Sequence, residues 1–251
     1  GAEGKIFPIV SNDTTSVTLN LGADTLSGLT ANDSVVIEPY WTLASIFPGG
    51  RGVNISPTAG NRNTEVLIPD LASVGINLSA AKVCFFNAGI WKQVGQGGAD
   101  HGSDILQPNT YFIVRHNVAT NTTFTSSGAV IVSKLVTRLT TSATSKQDNF
   151  IGLMRPVTNS LVNSGLVSSG AFAISPLPGN RTDELLVFDN AVVQKNKSSA
   201  AVYYYWNNAW RRVGAGSLDV GALPVLTPGS GLIIRKATNA SFVNWTNQKN
   251  W

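Results

Sequence analysis

The sequence predicts an all-β protein built from two tandem, duplicated antiparallel β-sandwich or barrel-like domains. Three observations carry this expectation. Helical periodicity is nearly absent. Short runs rich in Val, Ile, Thr, Tyr and Phe are punctuated roughly every eight to twelve residues by Asn, Asp, Gly and Pro. The phrase SPTAGNRNTEVLIPD at residues 56–70 also returns as SPLPGNRTDELLVFD at residues 175–189.

The echo holds a constant offset. Gly60, Asn61, Arg62, Glu65 and Leu67 recur 119 positions later as Gly179, Asn180, Arg181, Glu184 and Leu186, and Trp91, Val94, Gly95, Asp100 and Gly102 recur as Trp210, Val213, Gly214, Asp219 and Gly221. Over residues 56–102 against 175–221 about 20 of 47 positions are identical, where ordinary composition would give roughly three. A period of this length is that of a domain, not of a solenoid coil or propeller blade. The expected units are residues 1–125 and 126–251. Past Gly102 the register slips by about one residue, but YFIVRH (residues 111–116) still answers GLIIRK (residues 231–236).

Taken in order, TTSVTLNL (residues 14–21) alternates, with Val17, Leu19 and Leu21 on one face, and DSVVIEPY (residues 33–40) reads as a strand stopped by Pro39. KVCFFNAGIWKQVG and AVYYYWNNAWRRVG read as hairpins turning at Asn87-Ala88-Gly89 and Asn207-Asn208, residue types that tolerate positive φ. Residues 70–83 and 189–202 read as loops with at most one helical turn. The second unit opens with AVIVSKLV (residues 129–136) and FIGLM (residues 150–154) as strands. NASFVNWTNQKNW (residues 239–251) reads as a last strand or as a segment donated to a neighbour, with Phe242, Trp245 and Trp251 as its anchors.

Composition narrows the function classes. Charged residues are only 13% of the chain, about half of ordinary usage. The net charge of +4 comes from scattered residues, with Arg211-Arg212 and Arg235-Lys236 the only short basic pairs. Without a basic stripe, nucleic acid is not expected as a partner. Cys84 is the single cysteine, which excludes an internal disulfide and a cysteine-based zinc site. No apolar run reaches the length of a membrane helix, and no basic-then-apolar leader opens the chain. The start at Gly1-Ala2 without methionine reads as a processed chain or a piece of a longer one.

No catalytic residue, metal ligand or cofactor is assigned. His101 and His116 are the only histidines, and DHGSD (residues 100–104) offers a loose acidic loop rather than a defined ligand set. No nucleophile elbow, dinucleotide loop or P-loop lysine occurs. Glu65 and Glu184 are the best-placed acids. Their pairing with Arg62 and Arg181 in both repeats argues for a fold-defining ion pair, and Trp91 and Trp210, also repeated, read as core anchors. Within Tyr203-Tyr204-Tyr205-Trp206 one face must be core. Trp206, whose counterpart is Asn87, and Tyr204 on the same face are the candidate ligand-binding residues, suited to stacking on sugar rings.

The phrases SVVIEPYWTLASIFPGG, SKQDNFIGLMRPV, SGLVSSGAF and YYYWNNAWRRVG carry a resemblance. The chain resembles a family of secreted all-β proteins found mainly in Verrucomicrobia and their relatives, a family with no assigned activity. The resemblance implies secretion and transfers no catalytic residue. Similar members carry a signal peptide and an opening β section ahead of GAEGKIFPIV, which implies either that the chain is processed or that the first unit lacks opening strands that the second has. A unit missing such strands exposes a sheet edge, a template for another chain. The expectation is a non-enzymatic extracellular or cell-surface structural protein whose partner is itself, a subunit of a filament or surface layer joined by strand donation. A secreted carbohydrate-binding module with glycan partners is the alternative, and a hydrolase, needing two close carboxylates in one pocket, is the third reading.

Overall fold

The computed structural model describes residues 2–125, 133–192 and 195–247. Its first half contains β1 (Ile9–Asn12), β2 (Val17–Leu19), β3 (Trp41–Thr42), the one-turn helix α1 (Leu43–Ile46), a 3-10 turn at Pro48–Gly50, β4 (Thr64–Ile68), β5 (Lys82–Asn87), β6 (Ile90–Gln93), β7 (Ile105–Leu106) and β8 (Ile113–His116). The second half contains β9 (Leu135–Leu139), β10 (Gln147–Gly152), β11 (Glu184–Val187), β12 (Ala201–Trp206), β13 (Ala209–Arg212), β14 (Gly231–Lys236) and β15 (Val243–Asn247). The protein is nearly all β, and every strand pairing is antiparallel.

Two sheets dominate. One has the order β6-β5-β4-β8 and the other β10-β14-β11-β12-β13. Their ladders share register: Glu65 stands opposite Arg115 as Glu184 stands opposite Arg235, and Val66 opposite Cys84 as Leu185 opposite Tyr203. The hairpins β5–β6 and β12–β13 close on two residues, Ala88-Gly89 (φ 52° and 84°) and Asn207-Asn208 (φ 49° and 55°). Positive φ at both central positions matches the right-handed twist of the flanking strands. β10 pairs with β14 along six residues, and no strand among the described residues lies in the equivalent place beside β8.

Each half buries its own core. In the second, Leu185, Tyr203, Trp210, Leu232 and Ile234 on the sheet pack with Leu161, Leu166 and Phe172 from loops, and the two-stranded ribbon β9–β15 lays Leu139 and Trp245 over them. In the first, Val66, Cys84, Phe86 and Trp91 pack against Leu43 and Phe47. The short helix that supplies Leu43 is held by a reciprocal cap: Ser45 N donates to Thr42 Oγ1 (3.2 Å) and Thr42 N donates to Ser45 Oγ (2.7 Å). One turn is too short to leave a periodic trace in the sequence.

The halves touch through β10. Asp148 N donates to Gly75 O (3.0 Å), Gly152 N donates to Asn109 O (2.9 Å), and the Tyr111 ring stands edge-on to Phe150 at 5.8 Å. A Cβ on Gly152 would sit 2.5 Å from Thr110 O, which explains why glycine occupies this strand position.

Several expected elements shift. TTSVTLNL contributes only Val17–Leu19, paired with β1, and FIGLM contributes only Phe150–Gly152, the end of β10, which begins earlier at Gln147. Residues 126–132, with the start of AVIVSKLV, lie outside the described residues, and its last two residues open β9. DSVVIEPY belongs to no ladder: Val35, Val36 and Ile37 are 71%, 81% and 65% exposed. Its β-branched pattern suits a strand, but a strand exists only where a partner supplies hydrogen bonds.

Candidate functional site

The shared register lines charged residues in a row across one face of each sheet. In the second sheet the row is Asp148, Arg235, Glu184, Tyr204, Arg211, one residue per strand. In the first it is Arg115, Glu65, Phe85, Lys92. Because side chains alternate along a strand, this face is opposite the main core, and neighbouring residues in a row can pair across strands.

The pairing differs at one end. Arg235 grips Asp148 with two bonds, Nε to Oδ1 at 2.7 Å and Nη2 to Oδ2 at 3.0 Å, and its second bond from Nη2 goes to Asn77 Oδ1. Hydrogen bonding to Asp148 raises the Arg235 pKa against the opposing effect of burial. Arg115 has no aspartate across from it. It turns inward, placing Nε and Nη2 on Glu65 Oε2 at 2.8 and 2.7 Å, while Nη1 reaches Asn196 Oδ1 at 3.4 Å.

The two repeated glutamates are ion-paired as their sequence context suggests. Arg62 Nε donates to Glu65 Oε1 and Arg181 Nε to Glu184 Oε1, both at 2.6 Å. Burial by itself would raise the Glu65 pKa, but hydrogen bonds from Arg62, Asn117 and Arg115 outweigh it and hold the carboxyl below its ordinary value. Trp91 and Trp210 are 2% and 3% exposed in their respective cores. Trp210 packs on Phe172 and Tyr205 with centroids 4.9 and 5.6 Å apart.

Tyr204 and Trp206 lie on the charged face, with Tyr203 and Tyr205 turned to the core. Tyr204 is only 4% exposed, with the Arg181 guanidinium 5.9 Å from its ring centroid. Trp206 is half-buried, its indole N–H donates to Pro176 O (3.2 Å), and Arg211 stands over its ring at 5.6 Å. The two aromatics therefore do not form an open stacking platform.

The C-terminal segment is engaged within its own half. Phe242 stacks under Arg138 at 4.1 Å, and Trp245, 2% exposed, donates its indole N–H to Ser164 O (2.7 Å). Trp251 lies outside the described residues.

The acidic loop is internally bonded, with His101 Nε2 buried and without a hydrogen-bond partner among the described residues. In the acidic loop, Asp104 Oδ2 accepts from Lys82 Nζ (2.7 Å) and lies 3.3 Å from His101 Nδ1, and Asp100 Oδ1 accepts from Gly102 N. Among the described residues no group of three or more His, Cys, Asp and Glu could hold a metal ion. A cleft of about 390 Å³ between the N-terminal hairpin and β9–β10 is lined by two carboxylates, Asp24 and Asp148. The first is bound to Lys5 at 2.6 Å and the second to Arg235, so neither is an unpaired acid or base.

What sequence reasoning did not single out is the outer edge of β8. Ile113 and Val114 there are 48% and 39% exposed, whereas their stations in the second sheet, Ile233 and Ile234 on β14, are 8% and 0% exposed beneath β10 and the core. The offset of 119 to 120 between the ladders was the signal that could have located it. Comparison with protein-family models, curated proteins and solved structures finds no match.

Proposed function

We propose that this chain is a non-enzymatic extracellular or cell-surface structural protein that assembles with copies of itself into a filament or surface layer by adding strands from one copy to the sheet of another. The open edge of β8 carries the reading. A row of backbone N–H and C=O groups with no strand beside it among the described residues, flanked by exposed Ile113 and Val114, is a template for another strand. The low charge of the chain, 13%, removes much of the electrostatic repulsion that ordinarily keeps such edges apart. The extracellular setting rests on composition and on the family resemblance.

The glycan-binding reading has less support, because the Trp206 indole N–H and one flank of its ring are occupied within the chain and Tyr204 is buried. Sedimentation velocity over a wide concentration range, with negative-stain microscopy of the concentrated sample, tests the assembly reading. Oligomers that grow with concentration are expected; a strict monomer at the highest concentration overturns it.

A further inference from the structure

The second sheet shows what completes the first. β10 lies antiparallel to β14 with Asp148 opposite Arg235, Phe150 opposite Ile233 and Ile151 opposite Leu232. The first half contains one segment with the same order of chemistry, Asn32-Asp33-Ser34-Val35-Val36-Ile37, which aligns without a gap on Gln147-Asp148-Asn149-Phe150-Ile151-Gly152. Set against β8 in the β10 register, Asp33 falls opposite Arg115, Val35 opposite Ile113 and Val36 opposite Phe112. The acid would meet Arg115, which stands at the station of Arg235 and, unlike Arg235, has no aspartate beside it among the described residues. Val35, Val36 and Ile37, the most exposed apolar run described, would be covered, as would Ile113 and Val114.

Within one chain this segment is not paired with β8. Upstream, Asp33 Oδ2 accepts from Thr30 N (2.7 Å), Val136 N on β9 donates to Gly4 O (2.8 Å), and Arg138 packs against Gly22, so the arm starts from the second half. Downstream, Trp41 and Thr42 are fixed in the β3–β7 pairing. Only four positions separate Ile37 from Trp41, whereas seven separate the matching Gly152 from Asn159, the residue bridged to Leu226. The tether is short for folding back in the manner of β10, yet the arm itself stands free to meet another molecule.

We infer that residues 32–37 of one copy form the fifth strand of the first sheet of a second copy, antiparallel to β8, with the donated Asp33 on Arg115. This rests on the assembly reading and names its donor, acceptor and register. The charge complementarity of Asp33 with Arg115, the matched alternation and the exposure of both surfaces select a second copy of this chain as the occupant.

Variants of the whole chain with one introduced cysteine test it, since directly opposed strand residues lie within disulfide reach. Native Cys84 is fully buried with its thiol pushed up to about 12 by desolvation first of all, so it stays out of the exchange. Val35→Cys protein mixed with Ile113→Cys protein under mild oxidation is expected to yield a disulfide-linked dimer, with Cys–Cys linkage between positions 35 and 113 on peptide mapping. The dimer should be lost with Asp33→Arg in the donor and return with Arg115→Asp in the acceptor. A chain that sediments as oligomers yet gives no such linkage overturns the strand assignment and leaves the assembly reading standing. A double variant V35C/I113C that forms only an intrachain bond in a monomer overturns exchange between copies, and a strict monomer without the linkage overturns both.

Discussion

Lys236 and Asp183 face each other inside the second unit, at the stations where the first unit has His116 and Thr64. Lys236 Nζ donates to Asp183 Oδ2 and to Ala171 O (2.6 Å), and the carboxylate also accepts from Ala173 N (2.7 Å) and Ala237 N (2.8 Å). Both residues are almost fully buried, at 4% and 0% exposure. In the first unit His116 Nδ1 lies 2.8 Å from Thr64 Oγ1, which accepts from Asn54 N at 2.9 Å, the same backbone anchor met by a hydroxyl and an imidazole.

Because removing one partner of a buried ion pair leaves the other charge uncompensated, Lys236→Met should destabilise the protein by about 3–5 kcal/mol. The double variant D183T/K236H, which imports the first unit's solution, should recover most of that loss. Urea unfolding of the single and double variants checks both statements, and a double variant no better than the single would show that the pair's surroundings do not tolerate the exchange.

Glu65 sets an acid limit. Its pKa is lower in the folded protein than the ordinary 4.5, so its contribution is present in full above the unfolded value and is lost as pH falls through the folded one. Glu65→Gln should cost about 2 kcal/mol at neutral pH, the scale of hydrogen bonds to a charged group. The gap between wild type and variant should narrow as pH drops below about 4.5. A gap that stays constant from neutral pH into that acidic range would contradict the ion-pair account.

The two tryptophans of the β12–β13 hairpin should separate cleanly. Trp210→Ala removes a core ring and should destabilise by about 3–5 kcal/mol. Trp206→Ala removes one hydrogen bond and a guanidinium contact from a half-buried position and should cost about 1 kcal/mol. Thermal melts of the two variants give the comparison, and a glycan array run on folded Trp206→Ala shows whether any sugar binding follows that ring.

Cys84 should react with a thiol reagent only when the protein unfolds. Its side chain is buried between Val66 and Gln93 in the sheet, and desolvation keeps it protonated. The labelling rate in native buffer should therefore track the opening of the first core, and fast labelling of native protein would place the thiol at the surface instead.

Much of the fold could be read from local features. The Asn207-Asn208 and Ala88-Gly89 turns announce their hairpins because few residue types adopt positive φ at two successive positions. The Arg62–Glu65 and Arg181–Glu184 pairs were visible because arginine and glutamate three positions apart recur in an otherwise charge-poor chain. The candidate ligand site was read less well. Alternation places Tyr204 and Trp206 on one face and Tyr203 and Tyr205 on the other, but it is silent on what covers each face. Here Arg181, Arg211 and the carbonyl of Pro176 come from elsewhere in the sheet and its loops to occupy the outer one.

By itself the sequence determined the all-β class, the hairpin turns and the matching phrases, since these depend on residue preferences acting over a few positions. Only the tertiary structure decided that β10 covers β14 while β8 has no such neighbour among the described residues, and that DSVVIEPY, with every local mark of a strand, belongs to no ladder there. A strand is completed by hydrogen bonds from a partner distant in the chain or in another molecule, and no local pattern contains the partner's position.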